Sequence, residues 1–405
     1  MSGPPGRQLS DDRLAIHGGP PVRPRLLPYG GQVIDDDDIQ AVARALKDDW
    51  LTTGPRVAEF ERAVAARAGA RHAVVVNSGT AALHVAAFAA GIGPGDEVIV
   101  AALTFAASAN VVLYLGGRPV FADIRADTLN VDPARVAEAI TPRTRAIISV
   151  DFAGQPCELG PLRELADRHR LVLIDDAAHA LGAEYRGAPV GAQAHLTTLS
   201  FHPVKAITTG EGGMVLTDDA ELAARARRFR NHGISTEAGA RHAAGQWHYE
   251  MIDLGFNYRL PDIQCALGLS QLTKLDRFLA RRRALAERYQ RELAGVPGVL
   301  VPAVAPDVSH AWHIFPILVD AKRVRAGREA VFAALRAEGI GVTVHYIPVY
   351  QHPYYQRLGY PKSLCPEAES AYERLLTLPV SARMSDADAA DVVTAVRKVF
   401  RHFAG

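Results

Sequence analysis

The chain has 405 residues, 48% of them apolar, which is enough for two domains or for one large α/β domain with a smaller unit. Its 45 basic and 44 acidic residues nearly cancel, so the charge gives no indication of binding to nucleic acid or to an anionic membrane. Three widely spaced cysteines, Cys157, Cys265 and Cys365, match neither a zinc site nor a disulfide framework. The first residues lack the apolar segment of a signal peptide, and we expect a soluble, cytoplasmic protein without a metal site.

The N-terminal region is expected to contain no regular structure until a short acidic run. Residues 1–30 are rich in Pro, Gly and Arg without periodicity, which predicts an arm lying on another surface. Asp35 to Asp38 precede a periodic apolar segment, and carboxylates stabilise the N-terminus of a helix. This acidic run therefore predicts a solvated helix start rather than a metal site.

Helical and strand patterns alternate from residue 57 onward. Strands at this spacing, separated by helical segments, indicate βαβ units and a largely parallel sheet covered by helices on both faces. The predicted strands are 73–77, 97–100, 119–122, 146–150 and 171–175, and the predicted helices are 57–68, 81–90, 106–115, 133–140 and 159–169.

The regular alternation ends after Gly213. We expect a single long helix over residues 260–293, with Arg277 to Arg283 on a solvent-exposed face, and a smaller α+β unit from about residue 296. The predicted organisation is an N-terminal arm over 1–30, a large domain over 31–275 and a small C-terminal domain over 276–405.

One lysine lies on a tight connection between two predicted strands. The stretch 200–213 reads SFHPVKAITTGEGG, with a strand-like run before it and another strand starting at Met214. Desolvating an ammonium group is unfavourable, so a lysine this close to a sheet is unusual. From this stretch alone, Lys205 is equally consistent with a solvated loop residue and with a functional amine.

A turn with the properties of a phosphate site follows the first strand of the alternating region. In NSGTAAL, residues 77–83, a strand ends, Ser-Gly-Thr makes the turn and an Ala-rich helix begins. The backbone N–H groups of Gly79 and Thr80, with the Thr80 hydroxyl, could bind phosphate there. Simple N-capping by Ser78 or Thr80 would produce the same pattern.

Two consecutive aspartates end another predicted strand. In LVLIDDAAH, residues 171–179, Asp175 and Asp176 point to opposite faces of the sheet, so only one of them can face a given ligand. A carboxylate at the end of a buried strand needs a partner, which could be a protonated pyridine nitrogen, an arginine or a helix N-terminus.

A phosphate turn, a carboxylate and a lysine in this order match the anchors of pyridoxal phosphate. The helix N-terminus would bind the phosphate, the acid would keep the ring nitrogen protonated, and the lysine amine would form a Schiff base. The chain contains no G-x-x-x-x-G-K, H-E-x-x-H or G-x-S-x-G motif.

These motifs resemble those of the sugar-nucleotide aminotransferases of fold type I, also called the DegT/DnrJ/EryC1/StrS family. The resemblance extends from WLTTGP through NSGTAAL, TFAASAN, DDAAHALGA, SFHPVKAITTGEGG and GFNYRL to the HY-x-P segment. It implies that Lys205 carries the cofactor as a Schiff base and that Asp176 pairs with the pyridinium nitrogen. It also implies that Phe105 stacks on the ring and that His179 lies near the ring hydroxyl, although an ordinary core aromatic and a buried polar residue would look the same.

The resemblance also implies a shared active site. Gly79, Thr80 and Ser200 would hold the phosphate. Asn257 in GFNYRL matches a residue that relatives contribute from the neighbouring subunit, so a homodimer is expected, although Asn257 could also be a turn residue beside Gly255.

The resemblance implies a substrate class as well. The donor would be an amino acid, by family habit L-glutamate, and the acceptor a nucleotide-linked keto sugar. The wording SFHPVK-x-ITTGEGG is most similar to the branch that aminates C4 of UDP-linked 4-keto-6-deoxy-N-acetylhexosamines in pseudaminic acid-type pathways. Ala206 and the long arm depart from that branch, and the arm resembles relatives in antibiotic pathways, so a TDP-linked keto sugar, aminated at C3 or C4, is an alternative.

Thr53, His345 and Tyr346 are candidates for the sugar side of the pocket, although a turn hydroxyl and aromatic residues at a strand end would give the same pattern.

Two other functional classes are less favoured. Sugar dehydratases on the same scaffold have histidine in place of the lysine, whereas this chain has Lys205. A regulator that binds the cofactor without catalysis would be expected to carry a DNA-binding appendage, and none is recognisable in the sequence.

Overall fold

The computed structural model describes residues 13–235, 245 and 247–404, and their strands form one large sheet and two small ones. The strands of the large sheet are β1 His72–Val76, β2 Glu97–Ala101, β3 Arg118–Ala122, β4 Thr144–Val150, β5 Val172–Asp176, β8 Leu196–Ser200 and β9 Gly213–Thr217. The short strands are β6 Glu184–Tyr185, β7 Ala188–Pro189, β10 Val299–Leu300, β11 Val308–Ser309, β12 Phe315–Val319 and β13 Leu375–Leu378.

The seven-stranded sheet has the order β1-β9-β8-β5-β4-β2-β3. The pairs β2–β3, β2–β4, β4–β5 and β5–β8 are parallel, whereas β9 runs antiparallel to both β1 and β8. Two successive antiparallel pairings make β1 parallel to β8, so the carboxyl ends of β1, β5 and β8 lie at the same edge. The expected α/β fold with a mostly parallel sheet is confirmed.

Helices cover both faces of this sheet, because apolar side chains alternate along its strands. Val74 and Val76 of β1 belong to one buried cluster, whereas Ala73 and Val75 belong to another on the opposite face. The helices are α1 Asp36–Ala45, α2 Pro55–Ala68, α3 Gly79–Ala89, α4 Ala107–Tyr114, α5 Pro133–Glu138, α6 Leu159–His169, α7 Ala220–Arg230, α8 Asp262–Leu272, α9 Leu275–Leu293, α10 Gly327–Ala337, α11 Pro353–Arg357, α12 Pro366–Arg374 and α13 Asp386–Phe403.

The prediction of one long helix over 260–293 was wrong, because the segment forms two helices, α8 and α9, that are interrupted at Thr273 and Lys274. The Lys274 ammonium is buried at the interruption and forms ion pairs with Asp35 and Asp38, 2.9 Å from Asp38 Oδ1. Asp38 is itself fully buried, so the predicted solvated helix start is wrong for this carboxylate, although Asp35 does form a capping box with it. No glycine or proline marks the interruption in the sequence.

The prediction that Arg277 to Arg283 lie on a solvent-exposed face was also wrong at one position. Arg277 and Arg283 are exposed, but Arg282 is only 2% exposed. The helical period places Arg282 on the same side of α9 as the buried residues Leu275, Phe278 and Leu285. A run of similar charges therefore concealed one inward-facing arginine.

The described part of the N-terminal arm packs on the C-terminal part of the same chain. Leu14 is fully buried in a cluster with residues of α9, α10 and α13. The buried Glu338 carboxylate accepts hydrogen bonds from the backbone N–H groups of Ala15 and Val22, at 2.8 and 3.0 Å, and forms an ion pair with Lys398 at 2.9 Å. The predicted domain limits at 30/31 and 275/276 stay predictions. Among the described helices, none is both long and apolar enough to cross a membrane.

We expect the substitution Lys398→Met to destabilise the fold strongly. Both side chains of the Glu338–Lys398 pair are almost completely buried, so removing the ammonium leaves a carboxylate without its counter-charge. Breaking a buried pair in this way costs about 3–5 kcal/mol in the free energy of unfolding, which urea denaturation would measure.

Lys322→Met, at an exposed lysine in the same part of the chain, serves as the control and should change the free energy of unfolding by less than about 0.5 kcal/mol. Adding Glu338→Gln to Lys398→Met should recover part of the loss, because the unpaired charge is then absent. Equal effects of Lys398→Met and Lys322→Met would contradict this view of the arm anchor.

Candidate active site

A pocket of about 470 Å³ lies at the edge where β1, β5 and β8 end. Open α/β sheets bind their ligands at the carboxyl ends of their strands. Most of the residues that the sequence singles out line this pocket, namely Gly79, Thr80, Phe105, Asp176, His179, Ser200, Lys205, His345 and Tyr346. Thr53 and Asn257 do not line it.

One end of the pocket is formed by the N-terminus of α3. Ser78 caps this helix by accepting a hydrogen bond from the backbone N–H of Ala81 at 3.1 Å, whereas the N–H groups of Gly79 and Thr80, in the first turn, have no intrahelical acceptor. Gly79 lies so close to Ser200 that a Cβ atom at position 79 would be 2.8 Å from Ser200 Cβ. The two predicted phosphate ligands therefore meet in a cradle that a larger residue would fill.

Asp176 is the acidic group of the pocket. It is 5% exposed, its Oδ2 atom accepts a hydrogen bond from Ser108 Oγ at 2.7 Å, and its Oδ1 atom accepts one from the backbone N–H of Ala178 at 3.3 Å. Burial raises the pKa of Asp176, and these hydrogen bonds and the Lys205 charge oppose that rise. Asp175 points to the other face, where it accepts a hydrogen bond from Ser149 Oγ at 2.8 Å.

His179 and His313 form a buried pair on the pocket wall, with ring centroids 4.1 Å apart. His179 Nε2 lies 3.2 Å from the Tyr346 hydroxyl, and the Nδ1 atoms of both rings have no hydrogen-bond partner among the described residues. Burial first, and then the neighbouring Lys205 charge, lower the pKa of His179 well below its usual value. The ring is therefore neutral near pH 7, with one nitrogen available to a ligand.

Lys205 lines the pocket together with Asp176 and with rings from the C-terminal part of the chain, those of His313, His345 and Tyr346. Its backbone N–H donates to the carbonyl oxygen of His202 at 2.9 Å, and its own carbonyl oxygen accepts a hydrogen bond from Arg282 at 3.4 Å. Burial lowers the pKa of the Lys205 amine to about 8; Asp176 opposes this shift and Arg282 adds to it. A substantial fraction of the amine is therefore neutral just above neutral pH.

Several residues that the sequence analysis did not predict also contribute to the site. Tyr29 of the N-terminal arm and His313 line the pocket, and the Tyr29 ring lies 5.5 Å from that of His345. His345 Nδ1 is 3.0 Å from the Thr377 hydroxyl. No local motif marks Tyr29, and the only signal for His313 is a histidine two residues before the apolar strand β12.

Thr53 and Asn257 lie outside this pocket. Thr53 is exposed and lines a second cavity of about 470 Å³, together with Asn231 and Arg259. Asn257 is also exposed and pairs through its backbone with Asn231, whose side-chain oxygen accepts a hydrogen bond from Arg259 at 2.6 Å. Within one chain, the structure does not bring these two predicted residues to Lys205.

The donor set of the pocket fits pyridoxal phosphate. The cradle of Gly79, Thr80 and Ser200 suits a phosphate, the buried Asp176 suits a protonated pyridine nitrogen, and the unpartnered His179 Nδ1 suits a ring hydroxyl. The exposed Phe105 ring, 59% accessible, lies at the pocket mouth, 6.0 Å from Tyr346, and offers a stacking surface.

Comparisons with known proteins agree with this arrangement. The model of the DegT/DnrJ/EryC1/StrS aminotransferase family matches residues 32–397. SpsC of Bacillus subtilis (strain 168), a spore coat polysaccharide biosynthesis protein, is 44% identical over 382 residues, which cover 94% of this chain and 98% of SpsC.

Solved structures extend the comparison to the fold. PseC of Helicobacter pylori, an aminotransferase involved in the biosynthesis of pseudoaminic acid, is 34% identical, with a TM-score of 0.87 over 94% of this chain and 100% of PseC. DesI, solved in the presence of its TDP-sugar product, is 36% identical, with a TM-score of 0.85 over 95% of each chain. Other similar structures are known in PLP and PMP forms. The chain therefore belongs to the DegT/DnrJ/EryC1/StrS aminotransferase family and is a pyridoxal phosphate-dependent sugar aminotransferase of fold type I.

Proposed function

We propose that the enzyme transfers an amino group from an amino acid, L-glutamate, to C4 of a UDP-linked 4-keto-6-deoxy-N-acetylhexosamine. The observation that carries the catalytic part is the convergence of Lys205, Asp176 and the Gly79 cradle on one pocket. The motif wording and the likeness to PseC favour the UDP-linked substrate. The likeness to DesI and the long arm favour a TDP-linked keto sugar, which is the second candidate.

Pyridoxal phosphate supplies an aldehyde that takes up the amino group and a ring that accepts electrons from the reacting carbon. In our proposal Gly79, Thr80 and Ser200 bind its phosphate, Asp176 keeps its ring nitrogen protonated, His179 donates to its hydroxyl, and Phe105 covers its face. Ser108 and the backbone N–H of Ala178 orient the Asp176 carboxylate through hydrogen bonds of 2.7 and 3.3 Å.

We assign two tasks to Lys205. Its Nζ atom would bind the cofactor in the resting enzyme. In each half of the reaction, the free amine would accept a proton from one of the reacting carbons and donate it to the other. Only a neutral amine can accept that proton, and burial of Lys205 favours the neutral form. His345 and Tyr346 are assigned to the sugar, because they line the same pocket and carry groups that can hydrogen-bond to hydroxyls.

We further propose that the active enzyme is a homodimer in which Asn257 and Thr53 serve the pocket of the partner subunit. Both residues are exposed, and neither lines the Lys205 pocket of its own chain. The segment 247–256 beside Asn257 exposes large apolar side chains, including Trp247 at 85% and Leu254 at 80%, which a second subunit would cover. We also keep the prediction of a cytoplasmic location, which the three unpaired cysteines favour.

The substrate is tested with purified enzyme, L-glutamate and a panel of UDP- and TDP-linked 3-keto and 4-keto sugars, with product mass and proton coupling constants as readouts. We expect efficient amination of C4 in the UDP-linked N-acetylhexosamine.

Lys205→Ala should lower the transfer rate by at least about 10²–10⁴-fold, because it removes the group that carries the proton. Borohydride should attach the cofactor covalently to the Lys205 peptide of the unmodified enzyme. Full transfer by Lys205→Ala would refute the mechanism, whereas exclusive use of TDP-linked sugars would refute only the nucleotide assignment.

The protonation of Lys205 is tested in cofactor-free protein. A small acylating reagent labels only neutral amines, so the labelling rate of Lys205 should rise with a midpoint near pH 8, the value to which burial lowers its pKa. Mass spectrometry of the labelled peptides gives this midpoint, with the exposed Lys47 as the internal reference.

A second measurement in the same experiment tests the effect of the Asp176 charge on the pKa of Lys205. Asp176 raises the pKa of Lys205, so Asp176→Asn should move the labelling midpoint to lower pH. A Lys205 midpoint that coincides with that of Lys47 in both proteins would contradict the role of burial.

Sharing of the site between subunits is tested by mixing two variants under conditions that exchange subunits. Lys205→Ala and Asn257→Ala subunits should form heterodimers with one intact site, which restores about a quarter of the activity of the unmodified enzyme. Lys205→Ala mixed with Asp176→Asn is the matched control, since both residues belong to the pocket of one chain and no intact site can form. Equal activity in the two mixtures would exclude a contribution of Asn257 across the interface.

A further inference from the structure

Arg282 is a buried arginine that pairs with no carboxylate in the part of the chain that the structure describes. It is 2% exposed, whereas Arg283, the next residue of α9, is exposed. Among the described residues, Arg282 forms no ion pair with an aspartate or a glutamate. Burying a charged group is unfavourable unless hydrogen bonds within the protein replace those to water. The hydrogen-bond acceptors of this guanidinium therefore indicate its structural role.

The acceptors are five backbone carbonyl oxygens from three separate segments. Nη2 donates to Val204 and Lys205, at 3.3 and 3.4 Å. Nη1 donates to Trp312 and His313, at 3.3 and 3.0 Å, and to Val380, at 3.1 Å. One rigid, planar group therefore joins the loop that carries Lys205 to the segments that enter β12 and leave β13.

These contacts connect two walls of the pocket. The side chains of Lys205 and His313 both line it, and the backbone carbonyl of each residue is bonded to the same guanidinium. The His313 ring in turn contacts that of His179, with the ring centroids 4.1 Å apart. The position of the Lys205 backbone relative to the histidine pair is thus set through Arg282.

The chemistry of the group explains why arginine occupies this position. A guanidinium presents five N–H donors in a fixed fork, whereas an ammonium presents three donors at one point. A lysine at position 282 would keep the positive charge but could not reach acceptors on both sides at once. Burial lowers the pKa of Arg282 to about 10, so the group is charged at neutral pH.

We propose that Arg282 is a positioning residue that clamps the Lys205 loop to the C-terminal wall of the pocket and holds the Lys205 amine in line with the reacting carbons. This inference rests on the proposed role of Lys205. Arg282 does not itself line the pocket, so its effect on catalysis passes through the backbone of residues 204 and 205.

Arg282→Lys is the decisive variant, with Arg283→Lys at the exposed neighbouring position as its matched control. We expect Arg282→Lys to lower kcat by about 10–100-fold with KM for the sugar changed less than about threefold, because a misplacement of about 1 Å affects the reacting geometry more than binding. Hydrogen–deuterium exchange in residues 203–207 should become faster in the cofactor-free protein. Arg283→Lys should leave all three quantities unchanged.

Chemical rescue separates positioning from general stability. Arg282→Ala leaves room for a free guanidinium ion, so millimolar guanidinium should restore part of kcat and slow the exchange of residues 203–207, whereas an equal concentration of sodium chloride should not. If Arg282→Ala does not fold, the Arg282→Lys comparison alone decides.

The proposal is overturned if Arg282→Lys retains kcat and the exchange of residues 203–207. It is also overturned if kcat falls only in proportion to the folded fraction, with local exchange unaltered. Borohydride treatment of the unmodified enzyme distinguishes this proposal from the proposed role of Lys205. If the cofactor does not become attached to Lys205, the role of Lys205 is refuted. If it does become attached and Arg282→Lys behaves like the unmodified enzyme, only the positioning role of Arg282 is refuted.

Discussion

The active site depends on the parallel alignment of β1, β5 and β8, which brings three separate stretches of chain to one edge of the sheet. The antiparallel strand β9 lies between β1 and β8 and pairs with both. Gly213 pairs with both Val76 and Ser200, and a Cβ atom at position 213 would be 2.3 Å from the carbonyl oxygen of Ser78. Gly213 therefore allows the phosphate turn and the start of β9 to approach each other.

Burial then sets the electrostatics of the pocket. Lys205 and Asp176 both line the pocket, and the charge of each favours the charged form of the other. The surrounding imidazoles respond differently, because burial and the lysine charge both disfavour a second cation. The pKa of His345 is lowered to about 4, and those of His179 and His313 are well below their usual value. The pocket thus combines a carboxylate and an amine of opposite charge with a wall of neutral hydrogen-bonding rings.

The second wall of the pocket comes from parts of the chain that are distant in sequence. Tyr29 reaches it from the arm, which the buried Glu338 and Lys398 pair fixes to the C-terminal unit. His313 and Tyr346 come from the C-terminal unit itself, and Arg282 fastens that unit to the lysine loop. Arg282 donates to backbone carbonyl oxygens, whereas Glu338 and Lys398 pair with each other and also hydrogen-bond to backbone atoms of the arm. Both anchors therefore use buried charges to join distant segments.

The sequence by itself determined the order of strands and helices, the strand-end positions of Asp176 and Gly79, and the candidate lysine, because apolar periodicity and turn residues are local signals. Only the tertiary structure decided that Arg282 is buried, that α8 and α9 are separate helices, and that Tyr29 and His313 join the pocket. These outcomes depend on which distant segment packs against a given face of a helix or strand. The residues next to an arginine in the sequence do not show whether its side chain is solvated or, like Arg282, donates to five buried carbonyl oxygens. The structure of a single chain does not assign Asn257 to a site, since this residue is exposed and does not line the pocket of its own chain.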